Sequence, residues 1–97
     1  MLELDRKIMQ WGIDRDIHTS TAANQAQKTI EEVQELVDAI DERDMFEMKD
    51  AIGDIYVTLQ MICLIEGIDI EDCKAQAYNE IKDRKGKMVD GIWQKEN

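Results

Sequence analysis

The chain has 97 residues, of which 43% are apolar and 35% are charged, and its formal net charge is −10. A chain of this length forms one domain, assigned here to residues 1–97, and buries only about 60–70% of the surface that it exposes when unfolded. The acidic balance excludes binding to a nucleic acid polymer or an anionic membrane, because both rely on Lys and Arg.

The N-terminal segment MLELDRKIMQW carries charges throughout and lacks the apolar stretch of a signal peptide. No apolar run reaches ~18 residues, so no transmembrane helix is predicted and a cytoplasmic location is expected. Cys63 and Cys73 have no CxxC spacing and indicate neither a zinc site nor a disulfide framework. Cys63 lies in an apolar run and is expected in the core.

The periodicity of apolar residues predicts an all-α chain of about four helices. They run from Leu2 to about Ile13, from about Thr21 to Asp41, from about Met45 to Gly67, and from Asp69 or Glu71 to about Lys85. Gly12 is expected to weaken the end of the first helix. The second helix has an apolar stripe made of Ala26, Ile30, Val33, Val37 and Ile40. Gly86 and Gly91 bracket a polar tail that is predicted to form an extended piece or a hairpin.

The third predicted helix contains the uncharged run IYVTLQMICLI, residues 55–65. With about 100° of rotation per residue, Ile55 and Leu59 face nearly opposite to Val57 and Met61. A helix that is apolar all round is buried all round. We therefore expect a second subunit to cover part of it, the alternative being that the other helices and the tail do so.

Carboxylates at helical spacing mark the second and third helices. Glu31, Glu32 and Glu35 lie away from the apolar stripe, and like charges three or four residues apart destabilise a helix. Asp50 and Asp54 are also four residues apart, and Asp54 borders the uncharged run, where an isolated carboxylate would lose its hydration or protonate. The pattern is typical either of a solvated acidic face or of one end of a shared cation site.

A short turn at residues 42–45 makes the two helices an antiparallel hairpin and places the acidic clusters at similar heights. Four to five carboxylate oxygens without a Cys or His ligand favour a hard cation, Mg²⁺ or Mn²⁺. His18 is the only histidine, so a ferritin-type di-iron site is poorly supported. The sequence contains neither a nucleophile triad nor a Gly-rich phosphate loop.

Positive charge is concentrated in NEIKDRKGKM, residues 79–88. These cations complement the dipole of the fourth helix, or Lys82 and Arg84 or Lys85 reach phosphates that a metal holds, and the two roles are compatible. Trp11 lies on the apolar side of the first helix, where it either packs in the core or forms an aromatic wall for a nucleobase.

Over nearly its whole length the sequence resembles the MazG-like all-α nucleotide pyrophosphohydrolases. The resemblance rests on KTIEEVQELVDAIDERD, MKDAIGDIYVTL and YNEIKDRKGKM. It implies a four-helix bundle that assembles as a dimer or as a dimer of dimers. It also implies Mg²⁺-dependent hydrolysis of a (d)NTP to a (d)NMP and pyrophosphate, either to remove non-standard nucleotides or to control dNTP pools.

The resemblance also implies roles for individual residues. Glu32 and Glu35 match the metal ligands of the family's EExxE motif, and Asp54 matches the aspartate of its ExxD motif. Glu31 would support the site or orient the water, and Glu31 or Glu35 would accept the water's proton. Asn79, Lys82 and Arg84 fall where the family places phosphate-contacting residues. Trp11 and Lys28 are further substrate-binding candidates that do not rest on the resemblance.

One position departs from the family motif. Ala51 stands where ExxD has its glutamate, and Asp50 is the candidate replacement, acting through a water molecule.

Two alternative functions are also considered. One keeps the fold with another substrate, as in a dUTP-selective hydrolase or a phosphoribosyl-ATP pyrophosphatase. The other is a weakened site in a nucleotide- or metal-binding regulatory module, or an acidic helical interaction protein.

Overall fold

The computed structural model describes residues 2–96, which form four α-helices followed by a β-hairpin. The elements are α1 (Leu2–Asp14), a 3-10 helix (Ile17–Thr19), α2 (Ala22–Asp41), α3 (Met45–Glu66), α4 (Ile70–Ile81), β1 (Gly86–Val89) and β2 (Ile92–Lys95). The two strands pair antiparallel, with Gly86 opposite Lys95 and Val89 opposite Ile92. The all-α prediction and the C-terminal hairpin are confirmed.

Short polar side chains begin the helices where the sequence places them. The Thr21 hydroxyl accepts a hydrogen bond from the Asn24 amide (3.1 Å), and the Asp44 carboxylate accepts one from the Glu47 amide (3.1 Å). Gly67 ends α3 in the left-handed conformation, with φ of 70°. α4 ends at Ile81 rather than near Lys85, because the Lys85 carbonyl accepts the Glu96 amide (2.7 Å) and belongs to the base of the hairpin.

The centre of the fold is the antiparallel packing of α2 on α3. Arg43, with φ of 58°, turns the chain between them. Ala39 and Ala51 are both buried, and their small side chains allow the helices to approach closely. The Thr29 hydroxyl donates to the Thr58 hydroxyl (2.7 Å), which donates to the Ile55 carbonyl (2.7 Å). These contacts fix which residues of the two helices face each other.

The face that α2 turns toward α3 is not its apolar stripe. The buried or half-buried side chains of α2 include Thr29, Glu32, Leu36 and Ala39. The stripe at Ile30, Val33, Val37 and Ile40 lies on the adjacent face and is exposed, Ile30 by 61%. The acidic side of α2 is therefore partly inside the fold, whereas its most apolar side faces solvent.

α1 is attached to α3 at two places. Near its start, the Tyr56 hydroxyl donates to Asp5 Oδ1 (2.7 Å) and accepts from Gln60 Nε2 (3.1 Å). The bond from Tyr56 lowers the pKa of the Asp5 carboxyl. Near its end, Gly12 is buried against Met61. α1 continues to Asp14, one residue beyond its expected end, and the glycine permits a close helix contact.

Residues 70–95, here called the C-terminal arm, form no extensive contact with α1, α2 or α3 in the described part of the chain. α4 leaves α3 at a bend of 108°. The radius of gyration is 15.8 Å, against about 12–13 Å for a compact chain of this length. The expected four-helix bundle is thus not closed within one chain, because the tight turn at Gly67 directs α4 away from the other helices.

Among residues 2–96 no single helix is long and apolar enough to cross a membrane. Only α3 and α4 taken together, as a bent pair, reach that combination of length and composition.

The contact at Gly12 gives a test of how α1 is packed. A Cβ atom added there would lie 2.8 Å from Met61 Cε and 3.3 Å from Leu64 Cδ2. We expect Gly12→Val to lower the free energy of unfolding by about 1–3 kcal/mol, as overpacking does. Gly53→Ala is the matched control, because nothing lies within 4 Å of its added Cβ. That change should stabilise α3 by about 0.5–1 kcal/mol. Equal effects of the two changes in denaturant unfolding would contradict the close contact.

Candidate active site

Three carboxylates from α2 and α3 meet at one place. Glu32, Glu35 and Asp54 each offer an oxygen atom, and the three oxygens lie within 4.8 Å of one another. Glu32 and Glu35 are one helical turn apart on α2, and Asp54 faces them from α3. The Thr29–Thr58 hydrogen bond, one turn away on both helices, holds the facing positions in register. The structure therefore brings together the three principal ligands that the sequence predicts.

The electrostatics of this cluster disfavour three ionised carboxylates. The Glu32 side chain is only 12% exposed. Its pKa is raised, chiefly by desolvation and then by the neighbouring carboxyls of Glu35 and Asp54. The pKa of Asp54 is also raised, by desolvation and by repulsion from Asp50 and Glu35. Lys28 opposes both shifts, but its ammonium is 4.0 Å from Glu32 Oε1 and relieves only part of the repulsion.

The cluster has the features of a hard-cation site. Glu32 Oε2 is buried and has no hydrogen-bond partner among the described residues, which is costly for a carboxylate that lacks a ligand. The donor set consists entirely of carboxylate oxygens, as Mg²⁺ and Mn²⁺ prefer. Bonds of about 2.0–2.1 Å to one Mg²⁺ place neighbouring ligand oxygens about 3 Å apart, so the three oxygens would close in on the cation when it binds. The residues present therefore fit a divalent cation.

Asp50 lies outside this cluster. It is exposed and lines a neighbouring recess of about 340 Å³ together with Glu35, Asp38, Glu42 and Glu47. Its charge reaches Asp54 through space and raises the pKa of that carboxyl. Ala51 is buried beside the same recess, three residues before Asp54 and on the same side of α3. Three carboxylates of the described chain thus form the cluster, and Asp50, the fourth metal-ligand candidate, lies beside the cluster.

A cavity of about 400 Å³ opens beside the carboxylates. Glu31, Glu32 and Asp54 line it, and so does Trp11 of α1. Trp11 is 41% exposed, which does not fit the core position considered from the sequence. The Arg15 guanidinium lies 4.7 Å from the centre of the Trp11 ring and donates to the Trp11 carbonyl (3.1 Å). An acidic edge and a flat aromatic ring thus share one cavity.

The other substrate-binding candidates separate into two groups. Lys28 lines the cavity one turn before Glu32. Asn79, Lys82 and Arg84 do not line it, because they lie exposed at the end of α4 and just beyond. The structure therefore does not bring the basic segment to the carboxylates of its own chain.

The sequence analysis missed several side chains of the cavity. Asn24 and Gln25 line it from the first turns of α2, and Thr58 lines it from α3. Gln25, Lys28 and Glu32 recur at intervals of three or four residues, so helical spacing counted back from Glu32 would have found Gln25. No sequence signal identifies Thr58, because it lies inside the uncharged run.

The comparison with protein families identifies this arrangement. A family model described as the MazG nucleotide pyrophosphohydrolase domain matches residues 20–89, which is more than two thirds of the chain. The chain belongs to this family. Neither the curated proteins nor the solved structures contain a significant match. The matched range contains all three carboxylates and α4 but not α1, so the placement of Trp11 rests on the structure alone.

The charge cluster predicts that Mg²⁺ stabilises the wild type much more than a variant that lacks one of the carboxylates. We expect Glu32→Gln to raise metal-free stability by roughly 0.5 kcal/mol or more, since it removes like-charge repulsion. Mg²⁺ should stabilise the wild type by about 1.4 kcal/mol for each tenfold excess over its Kd. The variant should lose most of that response. Thermal melting with EDTA and with increasing Mg²⁺ measures both effects, and Glu80→Gln on α4 is the control.

The same cluster predicts a pH dependence in EDTA. A carboxyl whose pKa is raised on folding stabilises the folded state fully below its unfolded pKa, here 4.5 for Glu32, and loses that contribution as the pH rises through the folded pKa. The advantage of Glu32→Gln over the wild type should therefore be largest at neutral pH and shrink as the pH falls. If Mg²⁺ does not stabilise the wild type, and if the stability difference between the wild type and Glu32→Gln does not change with pH, the solvated-face interpretation is favoured.

Proposed function

We propose that the chain is a nucleoside triphosphate pyrophosphohydrolase that depends on Mg²⁺ or Mn²⁺ and converts a (d)NTP and water to a (d)NMP and pyrophosphate. The observation that carries the proposal is the cluster of three carboxylate oxygens within 4.8 Å of one another, at the edge of a cavity that also contains an exposed tryptophan. The carboxylate cluster suits a cation with attached phosphates, and the tryptophan suits a flat base.

Each residue of the cavity has a role in this proposal. Glu32, Glu35 and Asp54 would hold the cation, which when bound supplies Lewis-acid polarisation of the phosphates. Glu31 would accept the proton of the attacking water, and Glu35 is the alternative acceptor. The water's oxygen forms a bond to the α-phosphorus, and the bond from that phosphorus to the bridging oxygen breaks. Pyrophosphate leaves with the electron pair of that bond.

Substrate binding would use both sides of the cavity. Lys28 lies where it can neutralise a phosphate, while the Trp11 ring, backed by Arg15, offers a face on which a base can stack. Asn79, Lys82 and Arg84 are further candidates for phosphate contacts. The removal of non-standard nucleotides or the control of dNTP pools is the proposed role.

The alanine at position 51, where the family motif has a glutamate, favours a second candidate function. In this alternative the chain is a module that binds a nucleotide or a metal without turnover. Mg²⁺ usually keeps several water ligands and is held by only one or two carboxylates together with substrate phosphates. Three protein carboxylates therefore suffice for a substrate-bridged cation. For this reason we place the enzyme before the binding module.

We also propose that the chain assembles as a homodimer, or as a tetramer built from dimers. The exposed stripe at Ile30, Val33, Val37 and Ile40 is contiguous over three turns of α2 and contains no charge. Such a surface is typical of an interface rather than of a monomer in water. Two copies related by a twofold axis could pack these stripes against each other.

The reaction is tested with purified protein, Mg²⁺ and a panel of canonical and modified NTPs and dNTPs, with products separated by ion-exchange chromatography. We expect monophosphate and pyrophosphate in equal amounts, and Asp54→Ala should lower kcat/KM by at least about a hundredfold, as removal of a main electrostatic group does. Asp72→Asn on α4 is the control and should retain activity. Nucleotide binding without turnover across the panel would instead support the regulatory module.

The proposed interface is tested by placing a charge in the stripe. Val37→Glu should convert the oligomer to monomers, because an unpaired carboxylate would be buried between the copies. Sedimentation velocity over a range of protein concentrations measures the change. Gln27→Glu introduces the same side chain on another face of α2 and should leave the oligomer intact. A monomeric wild type at high micromolar concentration would argue against the interface.

A further inference from the structure

Two cysteines flank the junction between α3 and the C-terminal arm, and neither has a role in the site described above. Cys63 lies in the last turn of α3 and is only 5% exposed, whereas Cys73 lies in the first turn of α4 and is exposed. Both are free thiols, and the sequence contains no other cysteine. Redox-sensitive cysteines are commonly accessible and stand next to a second cysteine that resolves their oxidised form.

The turn at residues 67–69 brings the two cysteines together. The Ile68 amide donates to the Cys63 carbonyl (2.9 Å), and the Cys73 amide donates to the Asp69 carbonyl (3.3 Å). Each cysteine is therefore tied by a backbone hydrogen bond to one of two adjacent residues. The bend of 108° exceeds a right angle, so the start of α4 turns back toward the last turn of α3. Sequence spacing does not predict this arrangement, because the two cysteines lie on different helices.

The two thiols act on each other across this turn. The pKa of the Cys63 thiol is raised, first by burial and then by the charge and the hydrogen bond of Cys73, with a smaller effect of the Asp69 carboxylate. A hydrogen bond between the thiols places their sulfur atoms side by side. The raised pKa keeps Cys63 protonated near neutral pH, so the exposed Cys73 is the thiol that an oxidant meets first.

The junction that the two cysteines flank is the main attachment of the arm. Residues 70–95 form no extensive contact with α1, α2 or α3 in the described part of the chain. The orientation of the arm relative to the α2–α3 pair is therefore set largely by the backbone of residues 67–69, where Gly67 adopts a φ of 70°. A covalent bond from Cys63 to Cys73 would cross this junction and restrict its motion.

We propose that Cys63 and Cys73 form a redox-sensitive pair, which closes to a disulfide in the presence of a small disulfide such as oxidised glutathione and thereby fixes the C-terminal arm at the end of α3. Cys73 is the attacking thiol, and Cys63 is the resolving thiol. A thiol reductant opens the bond again, so the fixation is reversible.

The exchange takes place in two steps. The Cys73 thiolate attacks one sulfur of oxidised glutathione, whose S–S bond breaks, and the other half leaves as a thiolate that takes up a proton from solvent. The Cys63 sulfur then attacks the Cys73 sulfur of the mixed disulfide. The second glutathione leaves as a thiolate and receives, through solvent, the proton that Cys63 loses. The two protein thiols are thereby oxidised, and the small disulfide is reduced to two thiols.

Intact mass spectrometry of the full chain tests the pairing. After equilibration in a mixture of oxidised and reduced glutathione and an acid quench, the wild type should be lighter by about 2 Da and migrate as a single chain without reductant. Cys63→Ala cannot close the ring and should keep one glutathione, about 305 Da, on Cys73. Cys73→Ser is the matched control and should stay unmodified, because its one thiol is buried. A wild type that stays reduced, keeps glutathione without closing the ring, or links only to other chains would overturn the proposal.

Comparison with the unfolded chain shows whether the fold, rather than the short spacing alone, favours the bond. In concentrated urea the two cysteines are joined by a flexible segment, and the same glutathione mixture measures their equilibrium constant for closure. Because the folded turn holds the thiols side by side, this constant should be at least about tenfold larger for the native protein. An equal or smaller constant for the native protein would contradict the pairing.

Hydrogen exchange measures the effect on the arm and requires no enzymatic turnover. The amides of Ile68 and Cys73 exchange when the junction opens, so the disulfide should slow their exchange by about tenfold or more. Amides in the middle of α2 should exchange at the same rate in both forms. Cys73→Ser in the same glutathione mixture is the control and should show no change at either place. Unchanged exchange at the junction of a protein whose disulfide has formed would overturn the fixation of the arm.

Discussion

The packing of α2 against α3 through a polar face is the constraint on which the rest of the structure depends. That packing removes Glu32 from water and places Asp54 opposite it, so the two helices meet at a point of mutual repulsion. Small side chains at Ala39 and Ala51 and the Thr29–Thr58 hydrogen bond hold them together there. A cation between the helices would turn this repulsive contact into an attractive one.

The sequence was sufficient to predict most of the secondary structure. Capping residues at Thr21 and Asp44 and the glycine at position 67 are local signals, and the helices begin and end where those signals lie. The end of α4 was placed too late, because no local signal distinguishes Lys82–Lys85 from a last helical turn. The bond from Glu96 to the Lys85 carbonyl decides that boundary, and it depends on the return of the chain through the hairpin.

The packing of the helices was harder to predict than the residues at which they begin and end. Hydrophobic periodicity assigns the stripe at Ile30 and Val37 to a buried face, but it does not say whether the burial is within one chain or between copies. The three carboxylates of the cluster could be found from spacing on adjacent antiparallel helices. The exposed position of Asp50 and the placement of Trp11 beside the cluster depend on the rotation of α3 and on the docking of α1, which the spacing of residues does not determine.

The attachment of α1 has a consequence for how the cavity exchanges with solvent. This helix carries Trp11, yet it is anchored to α3 mainly by the Asp5–Tyr56 hydrogen bond at one end and the Gly12 contact at the other. Segments with few buried contacts open locally at a lower free energy than global unfolding requires. We therefore expect α1 to open at a lower free energy than the α2–α3 pair, so that solvent can enter the cavity beside Trp11 while α2 and α3 stay packed together.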